Sequence, residues 1–83
     1  FLVGISTTFV PKIKMLQGET QISFINLSQT SELVIYDITG KQVLSKTISD
    51  SDNSINTEAL KPGIYFCRVE NGEQSLNTKV LIR

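Results

Sequence analysis

Apolar and polar residues alternate with a period of two along most of this chain of 83 residues, and no stretch shows the period of an amphipathic helix. The alternating stretches are separated by clusters of Gly, Pro, Asn, Asp and Ser, which are typical of turns. Strands are therefore predicted at residues 20–26, 31–37, 41–48, 55–57, 64–70 and 73–83. A further strand is expected within residues 6–16, where Pro11 would confine it to a sheet edge or to the start of the strand. Six to seven short strands joined by tight turns predict an all-β fold, a small antiparallel β-sandwich of immunoglobulin-like size.

The same alternation predicts which side chains share a face of a strand. Tyr65, Cys67 and Val69 share one face of the strongest strand, and Leu33 and Ile35 share one face of an earlier strand. Cys67 is the one cysteine in the sequence, so no disulfide can form within the chain. Its apolar surroundings predict that it is a small buried hydrophobic residue.

Two segments carry the clearest turn chemistry. In residues 35–43, IYDITGKQV, Asp37 can hydrogen-bond its own backbone and Gly40 accepts a positive φ. These features predict a hairpin with a short bulged loop. Asn71 followed by Gly72 predicts a tight type I′ hairpin turn, which needs a positive φ at both positions.

Composition and charge narrow the classes of function. Eight basic and eight acidic residues cancel and neither sign forms a block, so the chain has no electrostatic footprint for nucleic acid or anionic lipid. Histidine is absent, and with it the commonest general base and metal ligand, and there is no Gly-rich phosphate loop. The sequence therefore predicts no catalytic activity, no cofactor and no nucleic-acid partner.

One segment carries a weak signal for a metal ion. Asp50, Asp52 and Asn53 offer oxygen ligands of the kind that Ca²⁺ binds, but the glycine and the distal glutamate of an EF-hand loop are missing. A solvated loop is the expected interpretation.

The start of the chain bears on its origin. No apolar run is long enough to span a bilayer, and residues 1–10 lack the basic region and the long apolar region of a signal peptide. Because the chain starts with Phe1 rather than Met, it is interpreted as a segment of a larger precursor. If that parent protein is secreted, its export signal lies far upstream.

Three motifs follow one another along the chain: IYDITGKQV (35–43), LKPGIYFCRV (60–69), and NGE followed by TKVLIR within 71–83. Together they resemble the C-terminal sorting domain of proteins exported by the type IX (Por) secretion system of Bacteroidota. The resemblance covers about residues 20–83, and it divides the chain into a linker with a first strand (1–19) and the sorting domain (20–83).

The resemblance implies a domain at the C-terminus of a larger secreted cargo, folded as an immunoglobulin-like sandwich and without catalysis of its own. It implies that the domain addresses the cargo to the outer-membrane translocon and that a sortase-like surface peptidase then removes it. The implied location is the periplasm in transit, and afterwards the outer-membrane surface or the extracellular medium. Family members often open with a Pro-Asn-Pro block. The nearest equivalent here, FVPKIK at 9–14, lacks the Asn and the second Pro, which leaves the domain boundary and the cleavage point open.

The resemblance places the family's motif residues at positions spread over the three motifs, and it implies that the sorting signal lies among them. These motif residues are Tyr36, Asp37, Gly40, Lys41, Pro62, Gly63, Tyr65, Asn71, Gly72, Lys79 and Arg83. Turn chemistry and core packing account for most of these residue types without a receptor. The charged residues among them contribute little to packing, so the best candidates for direct contact with a receptor are Lys41, Lys79 and Arg83.

Three hypotheses of function follow. The first is a non-catalytic sorting module that is recognised through its exposed C-terminal hairpin and a free strand edge, which can accept a strand from a partner. The alternative is an accessory binding module of a secreted enzyme, fibronectin-like or carbohydrate-binding, and the third is a structural spacer. Cut from its cargo, the isolated domain is expected to dimerise through an edge strand.

Overall fold

Seven strands and no helix make up residues 12–83, the part of the chain that the computed structural model describes. They are β1 (Lys14–Gln17), β2 (Gln21–Ile25), β3 (Ser31–Asp37), β4 (Gln42–Ile48), β5 (Ser54–Asn56), β6 (Gly63–Glu70) and β7 (Ser75–Ile82). The six strands predicted over residues 20–83 are confirmed, each to within two residues at its ends. A further strand is expected within residues 6–16, and β1 lies at the end of that segment. Pro11 and the residues before it lie outside the described part of the chain. The predictions about Pro11 and about residues 1–10 therefore lie outside it as well. Within the described part, no helix is present that could cross a membrane.

The strands form two antiparallel sheets. One sheet has three strands in the order β1-β2-β5, and the other has four in the order β4-β3-β6-β7. Buried side chains from both sheets form one hydrophobic cluster, so the sheets pack face to face. The predicted all-β sandwich is confirmed.

The core is filled from alternate positions of the strands. Phe24 of β2 is the largest fully buried side chain. The faces predicted to be shared are the inner ones, since all of their members are buried: Leu33, Ile35, Tyr65, Cys67 and Val69. Burial raises the pKa of the Cys67 thiol to about 11, because a buried site disfavours the charged thiolate. Cys67 is therefore an inert core residue, as predicted.

The antiparallel topology gathers the loops at two ends of the sandwich. We call the end where the chain finishes the C-terminal end, and it carries residues 18–20, 38–41, 57–62 and Arg83. The opposite end carries residues 26–30, 49–53 and 71–74. Residues that are far apart in sequence are therefore neighbours at either end.

The connection between β6 and β7 differs from the predicted two-residue type I′ turn. Residues 71–74 lie between the paired Glu70 and Ser75, and neither Asn71 nor Gly72 has a positive φ. The Asn71 side chain closes the loop instead, since its Oδ1 accepts hydrogen bonds at 2.8 Å from the backbone N–H groups of the two residues that end the loop. The type I′ prediction is wrong, because a side-chain acceptor lets a longer loop turn with ordinary backbone angles.

Candidate recognition surface

The hairpin loop between β3 and β4 is shaped by Asp37 and Gly40. Asp37 Oδ1 accepts hydrogen bonds from the Thr39 hydroxyl at 2.6 Å, the Thr39 N–H at 2.9 Å and the Lys41 N–H at 3.1 Å. Gly40 has a φ of 88°, and its N–H donates to the Asp37 carbonyl at 3.0 Å. A register shift beside Tyr36 marks a bulge, so the predicted hairpin with a bulged loop is confirmed.

The charge of Asp37 is part of this loop. The hydrogen bond from the Thr39 hydroxyl, together with the backbone N–H groups of Lys41 and Thr39, lowers the pKa of the Asp37 carboxyl below its usual value. Asp37 is therefore a charged acceptor at neutral pH, with its hydrogen bonds directed inward to its own loop.

The motif around Pro62 and Gly63 positions the start of β6. The Tyr65 hydroxyl donates to the Lys61 carbonyl, four residues upstream, at 2.7 Å. This contact is the tyrosine corner found in β-sandwiches. Gly63 has a φ of 151°, a backbone conformation that other residues rarely adopt, and a Cβ there would meet no atom within 4 Å. Glycine is needed at this position for its backbone angle rather than for space.

Asn71 and Gly72 lie at the opposite end, where a polar network ties two loops together. Asn71 Nδ2 donates to the hydroxyl of the buried Ser31 at 2.8 Å and to Gln74 Oε1 at 3.0 Å. Gln74 Nε2 in turn donates to the Asn26 carbonyl at 2.8 Å. The network joins the loop after β2 to the loop after β6, so this part of the motif serves the packing of the opposite end.

Most motif residues lie at or beside the C-terminal end, whereas Lys79 lies within β7, four residues before Arg83, and Asn71 and Gly72 lie at the opposite end. The register of β3, β6 and β7 places Asp37 beside Tyr65 and Gly63 beside Ile82, the residue that precedes Arg83. Parts of three motifs that are separate in sequence therefore meet at one end of the molecule.

The outer face of the four-stranded sheet carries an aromatic and apolar patch next to this end. Tyr36, Phe66 and Lys79 stand in one row across β3, β6 and β7, because Phe66 pairs with both of the others. In the next row Ile64 pairs with Leu81. Phe66 is 45% exposed, Ile64 43% and Leu81 48%, and a shallow concavity of about 420 Å³ lies over the row of Phe66. We call Ile64, Phe66 and Leu81 the outer apolar patch.

The motif residues do not include Phe66, although the structure places it at the centre of the row that it forms with Tyr36 and Lys79. The available signal was its position between Tyr65 and Cys67, since neighbours in a strand point to opposite faces of the sheet. An aromatic residue at an outward position is exposed unless another layer covers it.

The motif cations are exposed and belong to no ion pair within residues 12–83. Residues 12–83 contain two ion pairs, Lys46 with Asp52 at 2.9 Å and Arg68 with Glu70 at 3.2 Å. Lys41, Lys79 and Arg83 belong to neither, and all of them are exposed. We call these three the free cations. Their charges are available to an anionic group of a partner.

The C-terminal hairpin is exposed on one face alone, which corrects the expectation of an exposed hairpin. β6 and β7 form half of the four-stranded sheet, so one face of the hairpin packs into the core. The buried side chains are Tyr65 and Val69 of β6 and Val80 and Ile82 of β7. What stays accessible is the outward face and the outer edge of β7, which is the last strand of the sheet.

The acidic loop between β4 and β5 uses its polar groups within the fold. Asp52 Oδ1 accepts from Lys46 Nζ at 2.9 Å, and Asn53 Nδ2 donates to the Phe24 carbonyl at 2.8 Å. Over residues 12–83 there is no group of three or more His, Cys, Asp or Glu side chains that could hold a metal ion.

A family model described as "Secretion system C-terminal sorting domain" matches residues 16–83. The match runs from the last two residues of β1 to Arg83 and contains every motif residue. It confirms the resemblance drawn from the three motifs. No curated protein matches the chain.

Proposed function

The chain belongs to the family of secretion system C-terminal sorting domains, the sorting signals of type IX secretion, and we propose that it directs a larger cargo protein across the outer membrane. Membership makes the protein a secreted one, released or held at the cell surface, and the family is non-catalytic. In this proposal the cargo crosses the periplasm, the outer-membrane translocon reads the domain, and a sortase-like surface peptidase removes it. Residues 20–83 form the sorting domain, and residues 1–19 are a linker that contains β1.

The gathering of most motif residues at or beside the C-terminal end is the observation that supports this function. Asp37, Gly63 and Tyr65 each hold a loop or a strand end in place by a specific contact or backbone angle. They form a rigid support for the free cations, which make no ion pair of their own among the described residues. We propose that a receptor binds the free cations, the outward face of β6 and β7, and the outer edge of β7.

The test is the export of a reporter fused to the full chain in a bacterium with type IX secretion. A fusion that lacks residues 80–83 is expected to accumulate in the periplasm with an active reporter. Surface display is measured as the fraction of the reporter that protease added to intact cells digests. Normal surface display of this truncation would overturn the proposed function.

The truncation also removes the buried side chains of Val80 and Ile82, so it needs a matched control. The double variant Val80→Ala, Ile82→Ala loses the same buried groups but keeps the last residues of the chain. Export of this control beside retention of the truncation assigns the signal to the terminal residues. Retention of both assigns the signal to the folded sandwich.

A carbohydrate-binding module is the second candidate, and the pairing of Tyr36 with Phe66 on the outer face favours it. Adjacent aromatic rings on a sheet face can stack on a sugar ring, and a concavity of about 420 Å³ lies beside them. Saturable binding of the isolated chain to a polysaccharide, abolished by Phe66→Ala, would support this function over sorting. A structural spacer predicts that removal of the domain changes neither localisation nor binding.

Without its partner, the isolated chain is expected to form a weak dimer through an edge strand at high concentration. Sedimentation equilibrium over a range of concentrations checks this expectation, which a strict monomer would contradict.

A further inference from the structure

We propose that the outer edge of β7 is the docking strand of this domain, and that its occupant is an extended, acidic segment of a partner protein. The segment adds a fifth strand to the four-stranded sheet and places a carboxylate next to Lys79. The proposal rests on the proposed sorting function and specifies which contact the receptor makes.

The four sheet edges differ in how well they are protected against strand addition. β1 has four residues and β5 has three, which is too short to offer much of a ladder. β4 has the bulge beside Tyr36, and Lys46 turns toward the other sheet, where its Nζ donates to the Ser54 carbonyl at 2.9 Å. Short length, bulges and inward charges are three of the means by which proteins block edge pairing. A lysine on the edge strand, such as Lys79 of β7, is a fourth, and it selects against partners without a matching negative charge.

β7 has none of the first three features. It has eight residues and pairs with β6 without interruption, from Ile82 beside Gly63 to Ser75 beside Glu70. Within the described chain, β7 is therefore the long and regular edge, and its outer side is open along most of its length.

The hydrogen bonding of the loop before β7 shows which backbone groups of β7 face this opening. The Asn71 N–H donates to the Gln74 carbonyl at 3.0 Å, which makes 71 and 74 a hydrogen-bonded pair. Because such pairs alternate with non-hydrogen-bonded ones along an antiparallel ladder, Asn77, Lys79 and Leu81 direct their backbone groups away from β6.

A side-chain contact agrees with this alternation and limits the length of the open edge. Gln17 Nε2 donates to the Leu81 carbonyl at 2.6 Å, from the side opposite to β6. The Lys79 carbonyl has a 3.5 Å contact with the Thr78 hydroxyl, which is too long to compete with a new backbone hydrogen bond. Within the described residues 12–83, the outward backbone groups of residues 75, 77 and 79 are thus free to bind a strand, and Gln17 marks where that strand ends.

The side chains beside the open edge define the chemistry of the occupant. Lys79 and Leu81 project from the outer face, two residues apart, with Phe66 and Ile64 behind them. Directly opposite residues of neighbouring strands interact, and opposite charges favour the pairing. The matching segment carries a carboxylate opposite Lys79 and an apolar side chain near Leu81. Lys79 disfavours a second copy of the chain in any register that brings the two lysines together.

The first variant pair tests the backbone contact. Asn77→Pro removes an N–H that has no partner within residues 12–83 and blocks the added strand, and proline is tolerated on edge strands when its nitrogen faces outward. Asn77→Thr keeps the N–H and is the matched control. In the reporter fusion, surface display is expected to fall about tenfold for Asn77→Pro and to stay within about twofold of the parent for Asn77→Thr.

The second variant pair tests the charge. Lys79→Glu is expected to lower display about tenfold, more than Lys79→Gln does, whereas Lys14→Glu on β1 leaves it unchanged. Thermal unfolding of each purified chain accompanies the export measurement. If Asn77→Pro unfolds, the comparison of Lys79→Glu with Lys14→Glu decides alone, since both change an exposed cation.

Three results would overturn the proposal while leaving the sorting function intact, and a fourth would overturn the function itself. If Asn77→Pro and Asn77→Thr are both folded and are displayed equally, the outer edge of β7 is not the docking strand. If Lys79→Glu and Lys79→Gln are displayed equally, the bound segment is not acidic. If the chain forms a tight dimer at about nanomolar concentration, and Asn77→Pro dissociates that dimer, the occupant of the β7 edge is a second copy of the chain. In all of these the truncation of residues 80–83 still blocks export, whereas normal display of the truncation removes the sorting function itself.

Discussion

Replacement of Tyr65 by phenylalanine removes one oxygen atom from the tyrosine corner and leaves the buried ring in place. The hydroxyl donates to the Lys61 carbonyl at 2.7 Å, and the residue as a whole is 8% exposed. A typical internal hydrogen bond contributes about 0.5–1.5 kcal/mol, and Lys61 is exposed enough for water to reach its carbonyl in the variant. We therefore expect Tyr65→Phe to lower the free energy of unfolding by about 1 kcal/mol, or the melting temperature by about 4–8 °C.

The matched control is Tyr36→Phe, because the Tyr36 hydroxyl makes no hydrogen bond within residues 12–83. Its expected effect is below about 0.5 kcal/mol, because phenylalanine keeps the half-buried ring in place and no hydrogen bond within the described residues is lost. Both variants are measured by urea titration and by thermal circular dichroism on the full chain. Equal stability of the two variants would refute the assignment of Tyr65 to the fold. If Tyr65→Phe abolished export while its stability stayed unchanged, the hydroxyl would belong to the receptor contact instead.

Three further predictions test single residues. Gly40→Ala should cost about 1–2 kcal/mol in a urea titration, because alanine is strained at a φ of 88° although its Cβ meets nothing, whereas Gly18→Ala, with ordinary φ and contacts, should cost little. The lowered pKa of Asp37 stabilises the native chain above the unfolded pKa near 3.8, and this contribution is lost as pH falls through the folded pKa. The melting temperatures of the parent and of Asp37→Asn should therefore converge on acidification below about pH 4, and a constant difference would contradict this. Burial and a pKa of about 11 keep the Cys67 thiol unreactive in the folded chain, so at about pH 8 a thiol reagent should modify it only as fast as the chain unfolds. Rapid modification of the native chain would contradict the burial of Cys67.

The strands and the inner faces could be predicted because alternation is a local property of the sequence. Leu33 and Ile35 are apolar at a spacing of two, and that spacing alone decides that they share a face of a strand. The loop around Asp37 was predictable for a similar reason, since the carboxylate and Gly40 act on the backbone within four residues.

The features that escaped prediction depend on partners distant in sequence. The Asn71 side chain closes its own loop through the N–H groups of Glu73 and Gln74. Its amide is also held by Ser31, 40 residues away, and no local turn preference reveals that partner. The row of Tyr36, Phe66 and Lys79 exists because β6 lies between β3 and β7, and strand order is a property of the whole sheet. The burial of one face of the C-terminal hairpin follows from the same order.

The most direct test of the account is the surface display of a reporter that carries the full chain with Lys79→Gln and Arg83→Gln. Its control is the double variant Lys12→Gln, Lys14→Gln, which removes two exposed cations elsewhere on the domain. The account predicts about tenfold less display for the first variant, at an unchanged melting temperature, and normal display for the control. Equal display of the two double variants would contradict the claim that the free cations are read as part of the sorting signal.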